Sequence, residues 1–467
     1  MSEWKTYKLG DVAETRKEQI ISNGEEQPYI GLEHIEQQSL RLNGVGSSND
    51  VISNKFKFYS GDILYGRLRP YFRKVYKPNF DGVCSTEIFV IKPKKDINKD
   101  FLFYLVATEE FTNMANSGSS GTHMPRADWK QLEKSEWNIP SLPTQTQIAQ
   151  ILTSLDDKIE LNLQMNQTLE AMAQALFKEW FVNFNFPSSE LGLEGLNDDR
   201  IFHKKGKKEN KEILPSSNQQ NHNSDNLPKG WRMGKLSEVI EIKHGYAFKG
   251  EFFSDFEEDD ILITPGNFKN GGGFNSQKFK YYNGDVPNDY ILNKNDLIVT
   301  MTDLSKAGDT LGYSALVPTI DGKRLLHNQR IGKVIFKSDL PIKYFLYWLM
   351  RQYDYRHFVL GSATGSTVKH TSPTRICEFQ FPLPTKELLT KFETKIGCLS
   401  EKAQENEVQI QTLTQTRDTL LPKLMSGKIK LSELGLGGLN DDRILVKKTN
   451  KEILKSSNPK RHNSDKK

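Results

Sequence analysis

The sequence predicts an α+β protein made of two copies of one unit, each a mixed α/β domain followed by a long helix. Three observations support this prediction: an internal repeat, short β-type runs in each copy, and a helical pattern at each copy's end. The repeat is clearest where SELGLEGLNDDRI begins at Ser189 and SELGLGGLNDDRI begins at Ser432. Because the period is about half the chain, two copies are expected rather than a solenoid of shorter repeats.

Weaker echoes keep nearly the same separation. FLFYLV at Phe101 is matched by YFLYWL at Tyr344, and a Gly-Ser pair at Gly118 is matched at Gly361. Each copy therefore consists of short strands separated by turn residues, one apolar helix, a proline-containing stop and a long helical segment. The apolar helices are expected over Phe101–Phe111 and Tyr344–Tyr353.

The long segments carry apolar residues every three or four positions. Helices of 36–40 residues are about 54–60 Å long at 1.5 Å per residue. One narrow apolar stripe on so long a helix predicts a partner helix, which we expect to be the other copy's helix; the alternative is packing on its own domain only. The predicted pairing or partner-contact residues are Leu155, Asn162, Leu169, Leu176, Trp180, Phe181, Ile396, Asn406, Ile410 and Leu413. The aromatic block that includes Trp180 and Phe181 fits either core packing or partner docking.

The expected boundaries follow from these patterns. They are residues 1–143 for the first mixed domain, 144–186 for the first long helix, 187–226 for a polar linker, 227–384 for the second mixed domain, 385–430 for the second long helix, and 431–467 for a polar basic tail. The composition of the linker and the tail predicts disorder.

Charge and composition exclude several classes of protein. The net charge is +5, but residues 443–467 alone carry +7, so the global balance does not indicate a nucleic-acid partner. The longest apolar runs have seven residues, whereas a membrane span needs about 20. The first 20 residues are charged and the three cysteines lie far apart, so we expect a cytoplasmic protein without a membrane anchor, disulfide framework or zinc site.

Motifs that carry catalysis are missing from the sequence. We find no phosphate-binding glycine loop, no HExxH and no paired cysteines, and Glu241-Ile242-Lys243 is an E-x-K triplet of a kind common by chance. A binding subunit without a catalytic or metal site is therefore favoured. Two alternatives stay open: a self-contained DNA methyltransferase or nuclease, and a duplicated scaffold that binds only protein.

Three segments resemble a known family. LPTQTQIAQIL from Leu142, leading into LFKEWFVNFNFP from Leu176, resembles the central conserved region of type I restriction-modification specificity subunits. LLPKLMSGKIKL from Leu420 resembles the end of their second conserved helix, and LPKGW from Leu227, followed by KLSEV, resembles the entry to their second target-recognition domain. The resemblance covers residues 1 to about 430.

This resemblance implies a non-catalytic subunit that binds a bipartite DNA sequence, one half-site per target-recognition domain. It also implies that the long helices pair as an antiparallel coiled coil that measures the spacer between half-sites. The implied partners are double-stranded DNA, two methyltransferase subunits and two restriction/translocase subunits. No cofactor is implied for this chain, since S-adenosylmethionine, ATP and magnesium belong to the partners. A duplicated chain also suits split half-sites on physical grounds, because it imitates a two-fold symmetric dimer.

Local clusters of basic and aromatic residues point to DNA contacts. Residues 61–78 sum to +4 and interleave arginines with aromatic rings, and both copies keep a small-residue loop after the apolar helix. The residues around 300–309 are polar and are expected to form a reading loop. The predicted contacts are Arg67, Arg69, Tyr71, Arg73, Lys74, Thr122, His123 and Arg126 in the first copy, and Lys243, Tyr246, Lys249, Asn267, Lys269, Thr302, Lys306, Asn328, Arg330, Thr367, Lys369 and His370 in the second. The alternatives are solvated loops, plain turns and, for the asparagines, turn chemistry.

Overall fold

The computed structural model describes residues 4–20, 26–94, 96–117, 124–187, 227–276, 279–305 and 307–429. The chain divides into two compact units, unit 1 (Met1–Leu161 with Gln409–Lys467) and unit 2 (Asn162–Val408). Both divisions fall inside long helices, so each unit contains part of both. Residues 188–226 of the expected polar linker and the whole expected basic tail lie outside the described residues, as do Thr122, His123 and Lys306.

The elements of the first copy follow in chain order. The strands are β1 (Lys5–Lys8), β2 (Ala13–Arg16), β3 (Gln19–Ile20), β4 (Pro28–Ile30), β5 (Gly46–Ser47), β6 (Lys55–Phe58), β7 (Ile63–Gly66), β8 (Val75–Tyr76), β9 (Gly82–Ser85), β10 (Ile88–Pro93) and β11 (Glu136–Ile139). The helices are α1 (Leu9–Val12), α2 (Lys99–Val106), α3 (Glu109–Ser117), α4 (Trp129–Leu132) and α5 (Leu142–Phe177), and α5 continues as a π-helical turn over Lys178–Val182.

The second copy repeats this succession. Its strands are β12 (Arg232–Lys235), β13 (Ile240–His244), β14 (Phe253–Ser254), β15 (Asp260–Ile263), β16 (Lys280–Tyr282), β17 (Ile291–Leu292), β18 (Leu297–Thr300), β19 (Thr302–Asp303), β20 (Ser314–Leu316), β21 (Arg324–His327), β22 (Ile331–Phe336), β23 (Lys369–His370) and β24 (Gln380–Leu383). Its helices are α6 (Leu236–Val239), α7 (Lys343–Leu349), α8 (Tyr353–Gly361), α9 (Pro373–Cys377) and α10 (Lys386–Met425).

The sheets confirm the α+β class and the internal repeat. Each unit has an antiparallel four-stranded sheet, in the order β2-β10-β7-β8 or β13-β22-β18-β20. Each also has a five-stranded sheet with one parallel pair, β4 with β9 or β15 with β21. A two-stranded ribbon, β1 with β11 or β12 with β24, joins the start of each copy to the strand just before its long helix.

The five-stranded sheets differ at one edge. The order β6-β9-β4-β5 corresponds to β17-β21-β15-β16, but β3 adds beside β6 whereas β14 adds beside β16. These first strands have only two residues, so few backbone hydrogen bonds hold either of them at its edge. The repeat is therefore preserved in the core of the sheet and not at its margin.

One apolar helix was expected in each copy, and the structure contains two. Unit 1 breaks between α2 and α3, where the Thr108 hydroxyl donates to the Leu105 carbonyl and accepts from the Phe111 amide at 3.1 Å. Unit 2 breaks between α7 and α8 at residues 350–352. The expectation was wrong in unit 1 because apolar spacing does not register a side-chain hydroxyl that ends one helix and starts the next. In unit 2 the N-cap of α8 is Gln352, whose side chain makes no capping hydrogen bond.

The long helices contact each other within unit 2. The Asn406 side-chain amide donates to Asn166 Oδ1 at 2.9 Å, and the Phe177 and Phe392 ring centroids lie 6.0 Å apart. Residue numbers rise along α5 between these contacts and fall along α10, so the helices run antiparallel there. Trp180 and Phe181 also pack on Phe392, and both are buried in the core of unit 2 rather than on a docking surface. Asn162 and Ile396 are buried in the same unit, and Leu169 and Leu176 are half-buried.

Within unit 1 the helix contact is ionic. Arg417 of α10 is 1% exposed and donates to Asp156 Oδ1 of α5 at 2.8 Å and to Asp418 at 2.8 Å. The Tyr104 hydroxyl of α2 donates to the other Asp156 oxygen at 2.6 Å. Leu155, Ile410 and Leu413 are buried in this unit. A charged pair in this setting is stable only with its hydrogen bonds satisfied, as they are here.

We expect Arg417→Ala to lower the free energy of unfolding of unit 1 by roughly 2–4 kcal/mol, because it leaves the Asp156 carboxylate in a largely buried place without its cation. Urea denaturation of the full chain measures the loss. The matched control is Lys402→Ala, which breaks an exposed pair with Glu405 at 3.2 Å and should cost no more than about 1 kcal/mol. Combining Arg417→Met with Asp156→Asn should recover most of the loss. Equal effects of Arg417→Ala and Lys402→Ala would contradict the assignment.

Candidate nucleic-acid interface

In unit 1 the backbone brings two predicted loops together. The chain leaving β7 pairs with the chain entering α4: the Arg69 amide donates to the Pro125 carbonyl and the Ala127 amide to the Arg67 carbonyl, both at 2.8 Å. Leu68 and Arg126 form the antiparallel bridge between these hydrogen bonds. Arg67, Arg69 and Arg126, which are distant in sequence, therefore share one short ribbon.

The turn beyond this ribbon has an uncommon backbone. Arg69 and Arg73 flank a 3₁₀ turn, Pro70–Phe72, and have φ values of 51° and 44°. Non-glycine residues in the left-handed region are uncommon and carry a cost that the surrounding structure must hold in place. Tyr71 at the centre of the turn is 46% exposed, and its ring centroid lies 4.7 Å from that of Phe72. The turn thus presents an aromatic ring between two arginines.

Aromatic rings lie next to two arginine side chains of the ribbon. The Arg67 guanidinium lies 5.2 Å from the Phe89 ring centroid, and that of Arg69 lies 6.0 Å from the Phe72 centroid. Arg126 pairs with Glu87 at 3.1 Å, and its side chain is 45% exposed. An exposed pair of this kind contributes about 0–1 kcal/mol, so Arg126 can exchange Glu87 for another anion at little cost.

Arg73 and Lys74 are directed elsewhere. The Lys74 ammonium donates to the Leu32 carbonyl at 2.5 Å, and burial lowers the pKa of Lys74. Arg73 lines a cavity of about 130 Å³ with Arg417 and Asp418 of α10. Lys74 therefore stabilises the loop through its hydrogen bond to Leu32, and Arg73 lies beside α10.

Unit 2 builds a ribbon with the same connections. β19 pairs with β23, with Thr302 opposite His370 and Asp303 opposite Lys369. The Thr371 amide donates to the Met301 carbonyl at 3.0 Å, as Ala127 does to Arg67 in unit 1. Thr302 Oγ1 lies 3.2 Å from His370 Nδ1. Thr302, Lys369 and His370 are thus brought together, and exposed Thr367 lies in the loop before β23.

A second group of predicted residues adjoins this ribbon. The Met301 amide donates to the carbonyl of Arg330, whose own amide donates to Asn328 Oδ1 at 3.0 Å. Asn328 bridges to Tyr246. Tyr246 is 38% exposed, and its ring centroid lies 5.2 Å from that of Tyr290. Lys243, with Nζ 4.9 Å from the Tyr290 centroid, completes a basic and aromatic cluster.

Three predicted contacts of unit 2 are not part of these groups. Asn267 is fully buried, and its Oδ1 accepts from the Thr264 amide at 2.9 Å, so it shapes a turn. The prediction that Asn267 reads a base is corrected accordingly, because the Asn267 side-chain amide is already hydrogen-bonded within the loop. His34 makes a similar contact in unit 1, where its Nδ1 accepts from the Gly31 backbone amide. Lys269 lies in a separate turn, and Lys249 pairs with Glu251 at 3.8 Å.

Asp303 is the residue of this surface that sequence reasoning missed. Its carboxylate accepts from the Ser305 amide at 2.7 Å, the Thr310 hydroxyl at 2.8 Å, the Leu311 amide at 3.1 Å and the Thr310 amide. Burial by itself raises the pKa of Asp303, but the hydrogen bonds from Ser305 and Thr310 outweigh it and lower the pKa. Asp303 belongs to the polar stretch 300–309, which was expected to form a reading loop. It was not among the predicted contacts because an acidic side chain is not an obvious part of a DNA surface.

Beneath the second group lies an uncharged histidine. His327 is 1% exposed, its Nε2 lies 2.9 Å from the Ile331 carbonyl oxygen, and Nδ1 has no hydrogen-bond partner among the described residues. Burial, helped by Lys333 and Lys243, lowers the pKa of His327 to about 4, against the smaller opposing effect of the Ile331 hydrogen bond. The imidazole is therefore neutral at pH 7.

The arrangement of basic and aromatic side chains suits nucleic-acid recognition. Arginine forks match the O6 and N7 acceptors of guanine, and basic side chains with exposed rings follow a phosphate backbone. Among the residues that the structure describes, no group of three or more His, Cys, Asp or Glu is placed to hold a metal ion. Within the same ranges, no helix has both the length and the apolar character that a membrane span requires.

Comparisons with known proteins show the family and the fold. A family model described as the type I restriction modification DNA specificity domain matches residues 1–171 and 228–405. The HindI specificity subunit of Haemophilus influenzae is 27% identical over an alignment 502 residues long, gaps included, that covers 92% of this chain and 100% of that protein. The MjaIX specificity subunit of Methanocaldococcus jannaschii is 27% identical over an alignment 356 residues long, gaps included, that covers 74% of this chain and 72% of that protein. A solved S subunit from M. genitalium shares the fold, with a TM-score of 0.53 at 14% identity over 91% of this chain and 96% of that one.

We expect the double variant Arg67→Ala/Arg69→Ala to weaken DNA binding by about 1–3 kcal/mol for each arginine that hydrogen-bonds a base. The physical reason is that the unit 1 ribbon then has no bidentate donors at these positions. The control is Lys92→Ala, which removes a cation of the same unit that pairs with Glu14 on β10 and β2. Fluorescence anisotropy with a labelled duplex gives the affinities. Unchanged affinity in a folded double variant would remove both arginines from the interface.

We expect the stability of unit 2 to fall as the pH is lowered from about 6.5 to 4, because unfolded His327 binds a proton in this window and folded His327 does not. One such group contributes a slope of about 1.4 kcal/mol per pH unit. His327→Asn should flatten the slope, whereas His357→Asn at an exposed position should not. Equal slopes in wild type and His327→Asn, measured by urea denaturation at each pH, would refute a neutral buried imidazole.

Proposed function

Since this chain belongs to the family of type I restriction-modification DNA specificity domains, we propose that it reads a two-part DNA sequence, with one half-site on each unit. The family resemblance inferred from the sequence motifs is confirmed by the matching model. The observation that carries the proposal is the pair of ribbons, Arg67–Arg69 with Pro125–Ala127 in unit 1 and β19 with β23 in unit 2.

The two ribbons have equivalent backbones and different side chains. Arg67 and Arg69 of unit 1 correspond to Met301 and Asp303 of unit 2, judged by their hydrogen bonds to the facing segment. Met301 and Asp303 are buried, so the unit 2 ribbon offers Lys369 and exposed His370 from the facing strand instead of arginines. Different side chains on a shared backbone would select different bases. The proposed target is therefore asymmetric.

The long helices are the proposed spacer. α5 has 36 residues and α10 has 40, which at 1.5 Å per residue correspond to about 54 and 60 Å. The antiparallel contacts within unit 2 and the Asp156–Arg417 pair within unit 1 support a coiled coil along both helices. In this proposal the coiled coil sets the number of unread base pairs between half-sites.

The proposal includes a larger assembly. The chain itself is non-catalytic and carries no cofactor, two methyltransferase subunits supply S-adenosylmethionine chemistry, and two restriction/translocase subunits use ATP and magnesium. The whole works in the cytoplasm. The expected boundaries at 143, 186, 226, 384 and 430 are part of this proposal, with residues 1–143 and 227–384 as the target-recognition domains.

Footprinting of the chain with its methyltransferase partner tests the proposal. We expect two protected patches on one duplex, separated by an unread gap, and adenine methylation within them. A complex without sequence preference would favour the protein-only scaffold, and methylation or cleavage by the purified chain alone would favour the enzyme.

The same assay tests the spacer. A four-residue insertion after Glu160 in α5, matched by one after Val408 in α10, adds about 6 Å to each helix, or one to two base pairs. The accepted gap should widen accordingly. Insertions of four residues in the loop 319–322 of unit 2 are the control, and a gap unchanged by the helix insertions would reject the helices as the ruler.

A further inference from the structure

The loop after β19 is closed on itself by one buried carboxylate. Asp303 is 5% exposed and accepts hydrogen bonds from Ser305 at the start of the loop and from Thr310 and Leu311 at its end. The Thr300 hydroxyl holds the same end, donating to the Thr310 carbonyl at 2.5 Å and accepting from the Gly312 amide at 2.9 Å. Arg356 of α8 donates to the Gly308 carbonyl. The two ends of the loop are therefore anchored.

Closing a loop around a buried carboxylate has a free-energy cost that an ordinary connecting loop does not have. A buried carboxylate loses its hydration and is stable only when charge-assisted hydrogen bonds replace that hydration. Aspartate in an ordinary turn accepts from the amide two residues on, as Asp303 does from Ser305. The further hydrogen bonds from Thr310 and Leu311, seven and eight residues on, go beyond what such a turn needs. The Asp303 arrangement indicates a loop whose conformation matters.

This anchored loop begins with an exposed leucine. Leu304 follows Asp303 directly and is 62% exposed, although Thr302 and Asp303 before it are buried. Single exposed apolar residues are ordinary on protein surfaces. Leu304 differs because its backbone is held from both sides and because it adjoins the ribbon that carries Thr302 and exposed His370.

An apolar side chain at a DNA surface has a restricted choice of partner. Leucine neither donates nor accepts a hydrogen bond, so it gains nothing from a phosphate or from the polar edge of a base. The apolar group on base edges in the major groove is the 5-methyl of thymine. Resting on the proposed function, we propose that Leu304 is a specificity-determining residue of unit 2 that contacts a thymine methyl, and that Asp303 is the residue that positions it.

Unit 1 has different residues at the positions that correspond to Asp303 and Leu304. Arg69 stands where Asp303 stands, and it is followed by buried Pro70 and exposed Tyr71. At this position unit 1 therefore offers charged and aromatic groups, whereas unit 2 offers the apolar side chain of Leu304. The two half-sites accordingly differ in how they are read.

The test removes the methyl group from the DNA and the leucine from the protein. The complex of the full chain with its methyltransferase partner is titrated with target duplexes in which each thymine of both half-sites is replaced singly by deoxyuridine. At one position the wild-type Kd should rise roughly fourfold, the value of burying one methyl group. Leu304→Ala should bind the thymine and deoxyuridine duplexes equally at that position. Phe256→Ala, which shortens an 82% exposed apolar side chain of the same unit, should keep the wild-type difference.

Asp303→Asn tests the positioning role. It keeps the size of the side chain but weakens the hydrogen bonds that close the loop, so amide hydrogen exchange over residues 307–311 should accelerate. The thymine-to-deoxyuridine difference should shrink toward one, while discrimination at the other half-site stays as in wild type. Accelerated exchange with an unchanged thymine difference would overturn the role of Asp303.

The remaining outcomes separate this inference from the proposed function. If the wild-type complex protects two half-sites but no deoxyuridine substitution changes its Kd, or if Leu304→Ala keeps the difference, the contact between Leu304 and thymine is refuted and the proposed function stands. If the wild-type complex shows no sequence preference, the proposed function fails and this inference fails with it.

Discussion

The burial of one apolar stripe on each long helix is the constraint on which the rest of the structure depends. Isolated helices of this kind are not stabilised by propensity alone, so each needs a second surface. Within unit 2 that surface is built from Phe177, Phe392 and the Asn166–Asn406 hydrogen bond, and within unit 1 it includes the Asp156–Arg417 pair. Because α5 starts three residues after β11 ends, and α10 three after β24, each mixed domain is tied directly to a long helix.

The two ribbons proposed to contact DNA have the same backbone hydrogen bonds and different side chains. In both units a strand of the four-stranded sheet runs on into a short ribbon with the segment that follows the apolar helices. The hydrogen bonds between Arg67 and Ala127 and between Met301 and Thr371 are equivalent. The side chains on these ribbons have diverged. A duplicated fold can therefore keep one geometry of presentation while the chemistry presented changes, since ribbon hydrogen bonds involve only the backbone.

Some features escaped prediction for identifiable reasons. Arg417 falls on the apolar stripe, four residues after Leu413 and three before Leu420, but a charged residue does not register in a hydrophobic pattern. Asn166, one turn after Asn162, was likewise outside the pattern. The break between α2 and α3 depends on one hydroxyl, that of Thr108. Arg417 and Asn166 are satisfied by partners distant in sequence, Asp156 and Asn406, whereas Thr108 is satisfied by backbone groups three residues away.

The duplication, the α+β class, the long helices and the family could be predicted from the amino-acid sequence, because these depend on periodicity and on motifs that are contiguous along the chain. Which of the predicted residues share a surface depends on the tertiary fold. It joined Arg67 and Arg69 to Arg126 and Thr302 to His370, buried Asn267 and revealed Asp303. These outcomes depend on strand pairing across 58 and 68 residues, for Leu68–Arg126 and Thr302–His370, and no local pattern encodes which distant segments meet.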